Sequence, residues 1–326
     1  MRIRRRVFTA ALGAAVVATA TLGSADVLAQ AKYPHETVSL ITHSKAGGGT
    51  DVFLREMVKH LGKHMGVNFV VENVRGGSGA KAMAKLATSA ADGSIFYGTT
   101  PTFINTSILS KPKYGYKDLE GMVNVFLDPQ IVYVRKASPF STLREAVDAA
   151  KAKPGSIKFG VTTPGSLDRQ VMEKLKALTG IEVPIITHDG GGELLISVLN
   201  GTVDLGVGEV QELRGQLDAG EVRIIATYTK ARLDNFPEVM TAREQGIDLV
   251  VNKFRGIAGP KGQPPEVVAA WEKGIQAVLA DPDFKAWYEG SSLVAYFIPH
   301  AEYDGFLEAF AEDQRQFFTK YGITKD

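Results

Sequence analysis

The chain has 326 residues, no cysteine, and 37 basic against 36 acidic side chains, which gives a formal net charge of +1 at pH 7. The absence of cysteine excludes disulfides, thiol catalysis and cysteine metal sites. A protein that binds nucleic acid or an anionic membrane through its overall charge should carry a basic surplus, so neither class is expected here. The length suits about two domains of modest size.

The first 31 residues have the organisation of a secretory signal peptide. The arginine-rich start RIRRR (residues 2–6) precedes an apolar segment, and Ala29-Gln30-Ala31 supplies the small residues of a cleavage site. We therefore predict export to the periplasm with cleavage after Ala31. Because Arg5-Arg6-Val7-Phe8 also fits a twin-arginine signal, the general and the twin-arginine export routes both stay open.

The stretch from Thr37 to Leu61 predicts a strand, a glycine-rich turn and a helix that begins at Thr50 or Asp51. A helix start carries unpaired N–H groups and the positive end of the helix dipole, so it attracts anions. Three consecutive glycines (residues 47–49) let a ligand approach the backbone closely. The turn therefore predicts an anion site, although such turns also occur in α/β proteins that bind nothing there. Its spacing fits neither a P-loop nor a dinucleotide fingerprint.

Similar junctions recur along the chain. Four further segments rich in Gly, Ser or Thr follow predicted strands: VRGGSG (74–79), TTPT (99–102), TTPGS (162–166) and HDGGG (188–192). Strands that alternate with helices favour a parallel sheet covered by helices. Because ligands of open α/β sheets bind outside the carboxyl ends of the strands, we expect these junctions to form the site.

Other elements are predicted from periodicity and capping residues. We expect separate strands at 123–126 and 130–135, and a helix over 143–153 that is capped by Ser141 or Thr142. Helices are also predicted at 167–179, 193–200, 266–279, 284–289 and 303–321.

Eight segments occur in a recognisable order: AGGGTD (46–51), VVENVRGGSGAKA (70–82), ADGSIFYGTTP (91–101), SPFSTLREAVDAAKAKPGSIKFGVTTPGS (138–166), DGGGELL (189–195), NGTVDLGVG (200–208), FPEVMTAREQGID (236–248) and GPKGQPPEVV (259–268). This order resembles the exported solute-binding proteins of tripartite tricarboxylate transporters, the Bug or tricarboxylate-binding receptor family. The resemblance covers nearly all of the chain after the signal peptide. It implies an α/β fold of the type II periplasmic binding protein class, with two lobes that each have a central mixed sheet flanked by helices and are joined by two crossover strands.

The resemblance also implies a division of the chain and a function. The signal peptide would cover 1–31, lobe 1 would comprise 32–132 plus 254–326, and lobe 2 would comprise 133–253. The protein would be a monomer that captures a di- or tricarboxylate and delivers it to integral membrane permease subunits. An acidic amino acid or an aromatic carboxylate is the alternative ligand. No cofactor, no metal and no nucleic-acid partner are predicted.

Carried over by position, the resemblance predicts ligand contacts from both lobes. In lobe 1 they are Ala46, Gly47, Gly48, Thr50, Asp51, Gly79 and Thr100; in lobe 2 they are Thr163, Gly165, Ser166 and Asp204. Ser44 and Lys45 in lobe 1 and His188 in lobe 2 are further predicted ligand contacts, at positions where the chain departs from the family pattern. Lys45 would either neutralise a ligand carboxylate or point to solvent. Asp51 most simply caps its helix. We expect Asp204 in the cleft rather than in a turn, and Arg255 is a further residue that could reach it.

An exported hydrolase is the competing class, and the sequence offers little for it. His60 and His64 lack the HExxH pattern of zinc proteases, and Ser78 in GGSG is not the serine of a GxSxG elbow. No nucleophile has a recognisable base beside it, so we predict that the protein is not an enzyme. The His188-Asp189-Gly190-Gly191 segment stands where family members usually have an aromatic residue, a lysine and two glycines. This departure leaves the identity of the ligand open.

Overall fold

The structure is a computed structural model that describes residues 33–323. The predicted signal peptide, residues 1–31, lies outside the described residues. Within residues 33–323, no helix has both the length and the apolar composition that crossing a membrane requires.

Strands and helices alternate along most of the described chain. The strands are β1 (Thr37–Thr42), β2 (Asn68–Asn73), β3 (Ile95–Thr99), β4 (Leu119–Arg135), β5 (Phe159–Val161), β6 (Ile185–Thr187), β7 (Leu205–Glu209), β8 (Val222–Thr227), β9 (Asn252–Pro260) and β10 (Val294–Ile298). The α-helices are α1 (Gly49–Met65), α2 (Ala80–Ala87), α3 (Pro101–Ser110), α4 (Leu143–Ala152), α5 (Leu167–Thr179), α6 (Gly191–Leu199), α7 (Val210–Asp218), α8 (Pro265–Ala280), α9 (Pro282–Gly290) and α10 (His300–Lys320).

The strands form one sheet in two halves that share β4. Its order is β2-β1-β3-β9-β4-β7-β5-β6, and β8 and β10 also pair with β4. In the first half, β2, β1 and β3 are parallel, and β9 is antiparallel to both β3 and β4. In the second half, β7 and β8 are antiparallel to β4, while β5 and β6 continue parallel to β7. The predicted mixed α/β architecture is therefore confirmed.

Strand β4 is continuous where the sequence predicts two strands. Its residues up to Pro129 pair with β9, and its residues from Gln130 pair with β7 and β8. The gap between the two predicted strands contains Asp128 and Pro129, a pair that is typical of a turn. In the fold, Asp128 is buried beside Arg255 of β9. This contact makes an acidic residue compatible with the interior of a strand.

The hydrophobic cores follow the two halves of the sheet. The buried residues of the first half come from segments 33–126 and 254–311, and those of the second half come from segment 131–251. In the first half, Trp271 of α8 is buried against Phe96 of β3, with 4.6 Å between the ring centroids. Because each half buries its own apolar surface, the two can be stabilised largely independently.

Local capping agrees with the sequence. The hydroxyl of Thr142 accepts a hydrogen bond from the Glu145 N–H at 3.1 Å, and the Glu145 carboxylate accepts one from the Thr142 N–H at 3.3 Å. This capping box confirms the start of α4 that the sequence predicts.

Candidate functional site

The candidate site is a cavity between loops that follow the carboxyl ends of strands in both halves of the sheet. It is lined by His43, Ser44, Gly49, Thr50, Thr100, Thr102, Thr162, Thr163, Asp189, Gly190, Gly191, Glu209, Glu212, Lys253 and Arg255. The cavity volume is about 30 Å³, which is room for about two water molecules. An organic acid can therefore enter only if the surrounding loops move apart.

The start of α1 forms one wall of the cavity. Gly48 has the extended conformation of an N-cap, and its N–H donates to the Lys45 carbonyl at 3.0 Å. Asp51 Oδ2 accepts from the Gly47 N–H at 3.0 Å, and Asp51 Oδ1 accepts from Asn73 Nδ2 at 2.8 Å. Asp51 thus ties the turn to β2. Asp51 does not line the cavity, although the sequence predicts it as a ligand contact.

The predicted first-half contacts are only partly at the cavity. Ser44, Thr50 and Thr100 line it, whereas Lys45, Ala46, Gly47, Gly48 and Gly79 do not. The Lys45 ammonium is partly exposed and lies 3.6 Å from the Glu193 carboxylate. Lys45 therefore faces α6 and solvent rather than the cavity.

In the second half, Thr163 lines the cavity and two neighbours support the loop around it. The Ser166 hydroxyl caps α5 by accepting from the Arg169 N–H at 3.2 Å. Gly165 lies where the second half touches the first, because a Cβ added there would overlap the Thr106 hydroxyl and lie 3.3 Å from the Ser78 Cβ. Only a residue without a side chain permits this approach.

His188 and Asp204, two of the predicted ligand contacts, do not line the cavity in the structure. The His188 ring contacts the Val161 carbonyl at 3.1 Å and the Ser197 hydroxyl at 2.9 Å, which fixes the loop before α6. Asp204 accepts from the Lys158 N–H at 2.8 Å, just before β5 begins. Asp204 therefore lies at the amino ends of β5 and β7, whereas the cavity lies at their carboxyl ends.

We expect Asp204→Asn to change the affinity for any ligand of the cavity by less than about twofold. The substitution should cost about 1 kcal/mol of folding stability, because it weakens one charge-assisted hydrogen bond to the backbone. Calorimetric titration and urea unfolding measure the two effects separately. A loss of binding with unchanged stability would place Asp204 at the ligand after all.

A buried ionic cluster lies at the back of the cavity, and Arg255 is the one member of it that the sequence prediction includes. Its cations are Lys253 and Arg255 of β9, and its anions are Asp128, Asp168 and Glu209, all at most 8% exposed. Lys253 forms an ion pair with Glu209 and lies 3.6 Å from Asp168. Arg255 forms an ion pair with Asp128, approaches Glu209 at 3.4 Å and donates to the Thr50 hydroxyl at 3.1 Å.

Burial and mutual attraction shift the pKa values within this cluster in opposite directions. Burial disfavours the charged form of Glu209, but Lys253 and Arg255 outweigh it and hold the pKa of Glu209 below its usual value. Burial raises the pKa of Asp128 to about 6, against the opposing effect of Arg255. Both cations stay charged, because the neighbouring carboxylates raise the pKa of Lys253 and of Arg255 despite burial.

Glu212 of α7 is the remaining carboxylate of the cavity. Its Oε1 accepts a hydrogen bond from the Gly49 N–H, the first residue of α1. A Cβ at Gly191, the first residue of α6, would overlap the same carboxylate. Removal from water, followed by the charge of Glu209, raises the pKa of Glu212 well above its usual value. Glu212 is not among the predicted site residues.

Ion pairs also bridge the mouth of the cavity. Arg75, in the glycine-rich loop after β2, forms an ion pair with Asp189, which precedes α6. Together with the Lys45–Glu193 ion pair, the Arg75–Asp189 ion pair links the loops of the two halves, and all four side chains are partly exposed.

Within residues 33–323, no three His, Cys, Asp or Glu side chains are arranged to hold a metal ion. The site therefore offers backbone donors, hydroxyls and charged groups, which suit recognition of a small polar molecule.

Comparisons with known proteins agree with this fold. The profile described as "Tripartite tricarboxylate transporter family receptor" matches residues 53–316. Protein BugT from Bordetella pertussis is 27% identical, over 80% of this chain and 81% of BugT. The structure of the periplasmic binding protein BugD has a TM-score of 0.85 at 23% identity and covers 90% of this chain and 100% of its own. The R. palustris protein Rpa4515, solved with adipate, has a TM-score of 0.84 at 24% identity and covers 89% of this chain and 98% of its own. The chain therefore belongs to the family of tripartite tricarboxylate transporter receptors.

Proposed function

We propose that this protein is a periplasmic receptor that captures a small organic carboxylate between two lobes and delivers it to a tripartite tricarboxylate-type membrane transporter. The observation that carries the proposal is the cavity itself, in which loops from both halves of the sheet converge on the start of α1. The adipate bound to the R. palustris relative supports a carboxylate as the ligand class. Export would follow from the predicted signal peptide, residues 1–31.

The proposed lobes are residues 32–132 plus 254–326 and residues 133–253. The separate hydrophobic cores and the change of partners along β4 at Pro129 and Gln130 support a boundary close to these positions. Closure of two lobes around a ligand is a common way for a receptor to signal occupancy. We infer that the membrane permease reads the closed form of a monomeric receptor.

The proposed contacts come from both lobes. Ser44, Thr50 and Thr100 would serve the ligand from lobe 1, and Thr163 would serve it from lobe 2. The Gly49 N–H, which Glu212 occupies in the structure, is the backbone donor nearest to an anion site at the start of α1. Such a donor at a helix start suits a carboxylate oxygen.

A thermal-shift titration tests the carboxylate assignment. The protein without residues 1–31 is mixed with succinate, malate, adipate, citrate, glutamate or benzoate, and the melting temperature is recorded. A ligand at one hundred times its dissociation constant stabilises the folded state by about 2.7 kcal/mol, so a specific acid should raise the melting temperature by several degrees. Proton NMR of the same mixtures should show no consumption of the acid. Turnover would favour the hydrolase alternative, and an absence of any shift would contradict carboxylate binding.

We expect Gly165→Val to lower the affinity for the bound carboxylate at least about tenfold. The valine side chain would meet Thr106 and Ser78 and hold the loops of the two lobes apart. Gly305→Val is the matched control, because a Cβ at Gly305 in α10 meets nothing within 4 Å. Calorimetric titration of both variants measures the effect. Equal affinities would show that close approach at Gly165 is not needed for binding.

A further inference from the structure

A second cavity, the rear pocket, lies between α5, α10, β10 and the start of β9. In β9, Asn252 lines the rear pocket, whereas the next residue, Lys253, lines the candidate site. Leu127 of β4 also lines the rear pocket, and it lies opposite Phe254 in the antiparallel pair of β4 and β9. Because successive residues of a strand point to opposite faces, the sheet separates the two cavities.

The rear pocket is large enough for a small molecule. Its volume is about 370 Å³, within the range of roughly 300–1,000 Å³ that is usual for ligand sites. On one side it is bordered by Ala309 and Asp313, which are exposed, so a ligand can enter from solvent. The candidate site, in contrast, must open before it can admit an organic acid.

The walls of the rear pocket are mainly apolar and come from both halves of the sheet. Leu167 is contributed by α5 in the second half, and Phe306 and Phe310 are contributed by α10, which packs on the first half. Val250 and Val251 line the pocket from the segment before β9. Such walls favour a ligand with an apolar body, because its burial removes hydrocarbon surface from water.

Lys174 of α5 supplies a positive charge to these walls. Its ammonium group lies 4.6 Å from the centroid of the Phe317 ring. Within residues 33–323, no carboxylate forms an ion pair with Lys174. Asp313 attracts the ammonium group from a greater distance, but partial burial outweighs this effect and lowers the pKa of Lys174. An anion beside Lys174 would offset the hydration that the ammonium group has lost.

Gln314 of α10 is a second polar group in the wall of the rear pocket. The residue is only 4% exposed, and its side-chain oxygen has no hydrogen-bond partner in the part of the chain that the structure describes. A buried polar group without a partner is unfavourable. Rotation of the Gln314 carboxamide would let its NH₂ group donate to a ligand oxygen.

We propose that the rear pocket is a second ligand site, which binds a monocarboxylate with an apolar chain, such as a medium-chain fatty acid. The carboxylate pairs with Lys174, and the chain packs between α5 and α10. A di- or tricarboxylate is disfavoured, because its further charges would lose water against apolar walls without gaining a cation. The inference does not rest on the proposed function, since it concerns a different cavity.

Three ligands test the proposal by calorimetric titration of the protein without residues 1–31. Octanoate has both the charge and the apolar chain, octanamide has the chain without the charge, and acetate has the charge without the chain. We expect octanoate to bind at least about tenfold more tightly than octanamide. Acetate should give no measurable binding.

Substitution of Lys174 tests the role of the charge. Lys174→Gln should weaken octanoate at least about tenfold and leave octanamide unchanged, because only the charged ligand loses its partner. Lys176→Gln is the matched control, since Lys176 lies on the same helix, pairs with Glu173 and does not line the rear pocket. It should keep the wild-type affinities, and circular dichroism confirms that each variant is folded.

A second pair of variants tests the place of binding. Ala309→Phe puts an aromatic ring into the rear pocket and should weaken both octanoate and octanamide. Ala301→Phe is its control, because Ala301 is an exposed residue of α10 that does not line the pocket. The inference is overturned if octanoate does not bind, if Lys174→Gln keeps the preference for octanoate over octanamide, or if Ala309→Phe and Ala301→Phe bind octanoate equally well.

Discussion

Replacement of Arg255 by alanine is expected to destabilise the folded protein by about 3–5 kcal/mol. Arg255 is fully buried and forms ion pairs with Asp128 and Glu209. Its removal leaves three buried carboxylates, those of Asp128, Asp168 and Glu209, with one remaining cation, Lys253. Urea unfolding at pH 7 measures the change, with the extrapolated free energy of unfolding as the readout.

Arg232→Ala is the matched control for this experiment. Arg232 also forms an arginine–carboxylate pair, with Glu244 at 2.9 Å, but both side chains are about 40% exposed. Exposed pairs contribute about 0–1 kcal/mol because water and salt screen them. If both substitutions cost the same, the cluster around Arg255 is hydrated and its charges are not held in a dry interior.

The second large effect is a dependence of stability on pH that arises from His43. Burial, and then the charges of Lys253 and Arg255, lower the pKa of His43 to about 3. The unfolded chain has a histidine pKa of about 6.5, so it takes up a proton below that pH while the folded protein does not. His43 should therefore reduce the free energy of unfolding by about 2 kcal/mol between pH 7 and pH 5.

Asp128 acts in the opposite direction over the same range. Its pKa is raised to about 6 in the folded protein, so the folded state takes up a proton on acidification and gains about 1 kcal/mol. The contribution of His43 is therefore read from the difference between wild type and His43→Gln. Urea unfolding at pH 7, 6 and 5 should show a smaller loss of stability in the variant. Parallel curves for the two proteins would mean that His43 is protonated in the folded state.

Much of the fold can be predicted from local signals. The helix over 167–179 is confirmed with both ends in place, because Ser166 caps its start and Gly180 ends it in a left-handed conformation. Two helices are missed for identifiable reasons. The threonine-rich segment 99–102 is typical of a loop, but in the structure Thr100 is the N-cap of α3 and Pro101 is its first residue. In α7, Gly215 weakens the helical signal.

A crossover strand at the lobe boundary near residue 253 is predicted and corresponds to β9, whereas the ionic cluster behind the cavity is not predicted. The alternation of Lys253, Phe254 and Arg255 does carry a signal, since it places both cations on one face of a strand and the phenylalanine on the other. Phe254 indeed packs among aromatic side chains, 5.2 Å from the ring of Phe310.

The polypeptide backbone of the site is easier to predict than its charges. Glycine-rich turns after strands are local patterns, and the structure brings several of them to one cavity. The partners of Arg255 are instead more than forty residues away along the chain, in β4 and β7. No local pattern indicates that Glu212, on an unpredicted helix, turns towards the start of α1. Asp204 likewise lies just before β7 and outside the cavity, a position that the order of residues in the sequence does not reveal.

Strand β4 runs through both halves of the sheet, and β9 pairs with its first part as far as Pro129, where the Asp128–Arg255 ion pair connects the two strands. Widening the cavity should therefore twist β4 at the boundary between the two halves, next to the start of β9. The strands resist such twisting elastically, and their resistance increases with the twist angle. The resting geometry of the receptor is then governed by the torsional stiffness of two paired strands, and mutations that soften them should alter how far it opens even when they touch no ligand.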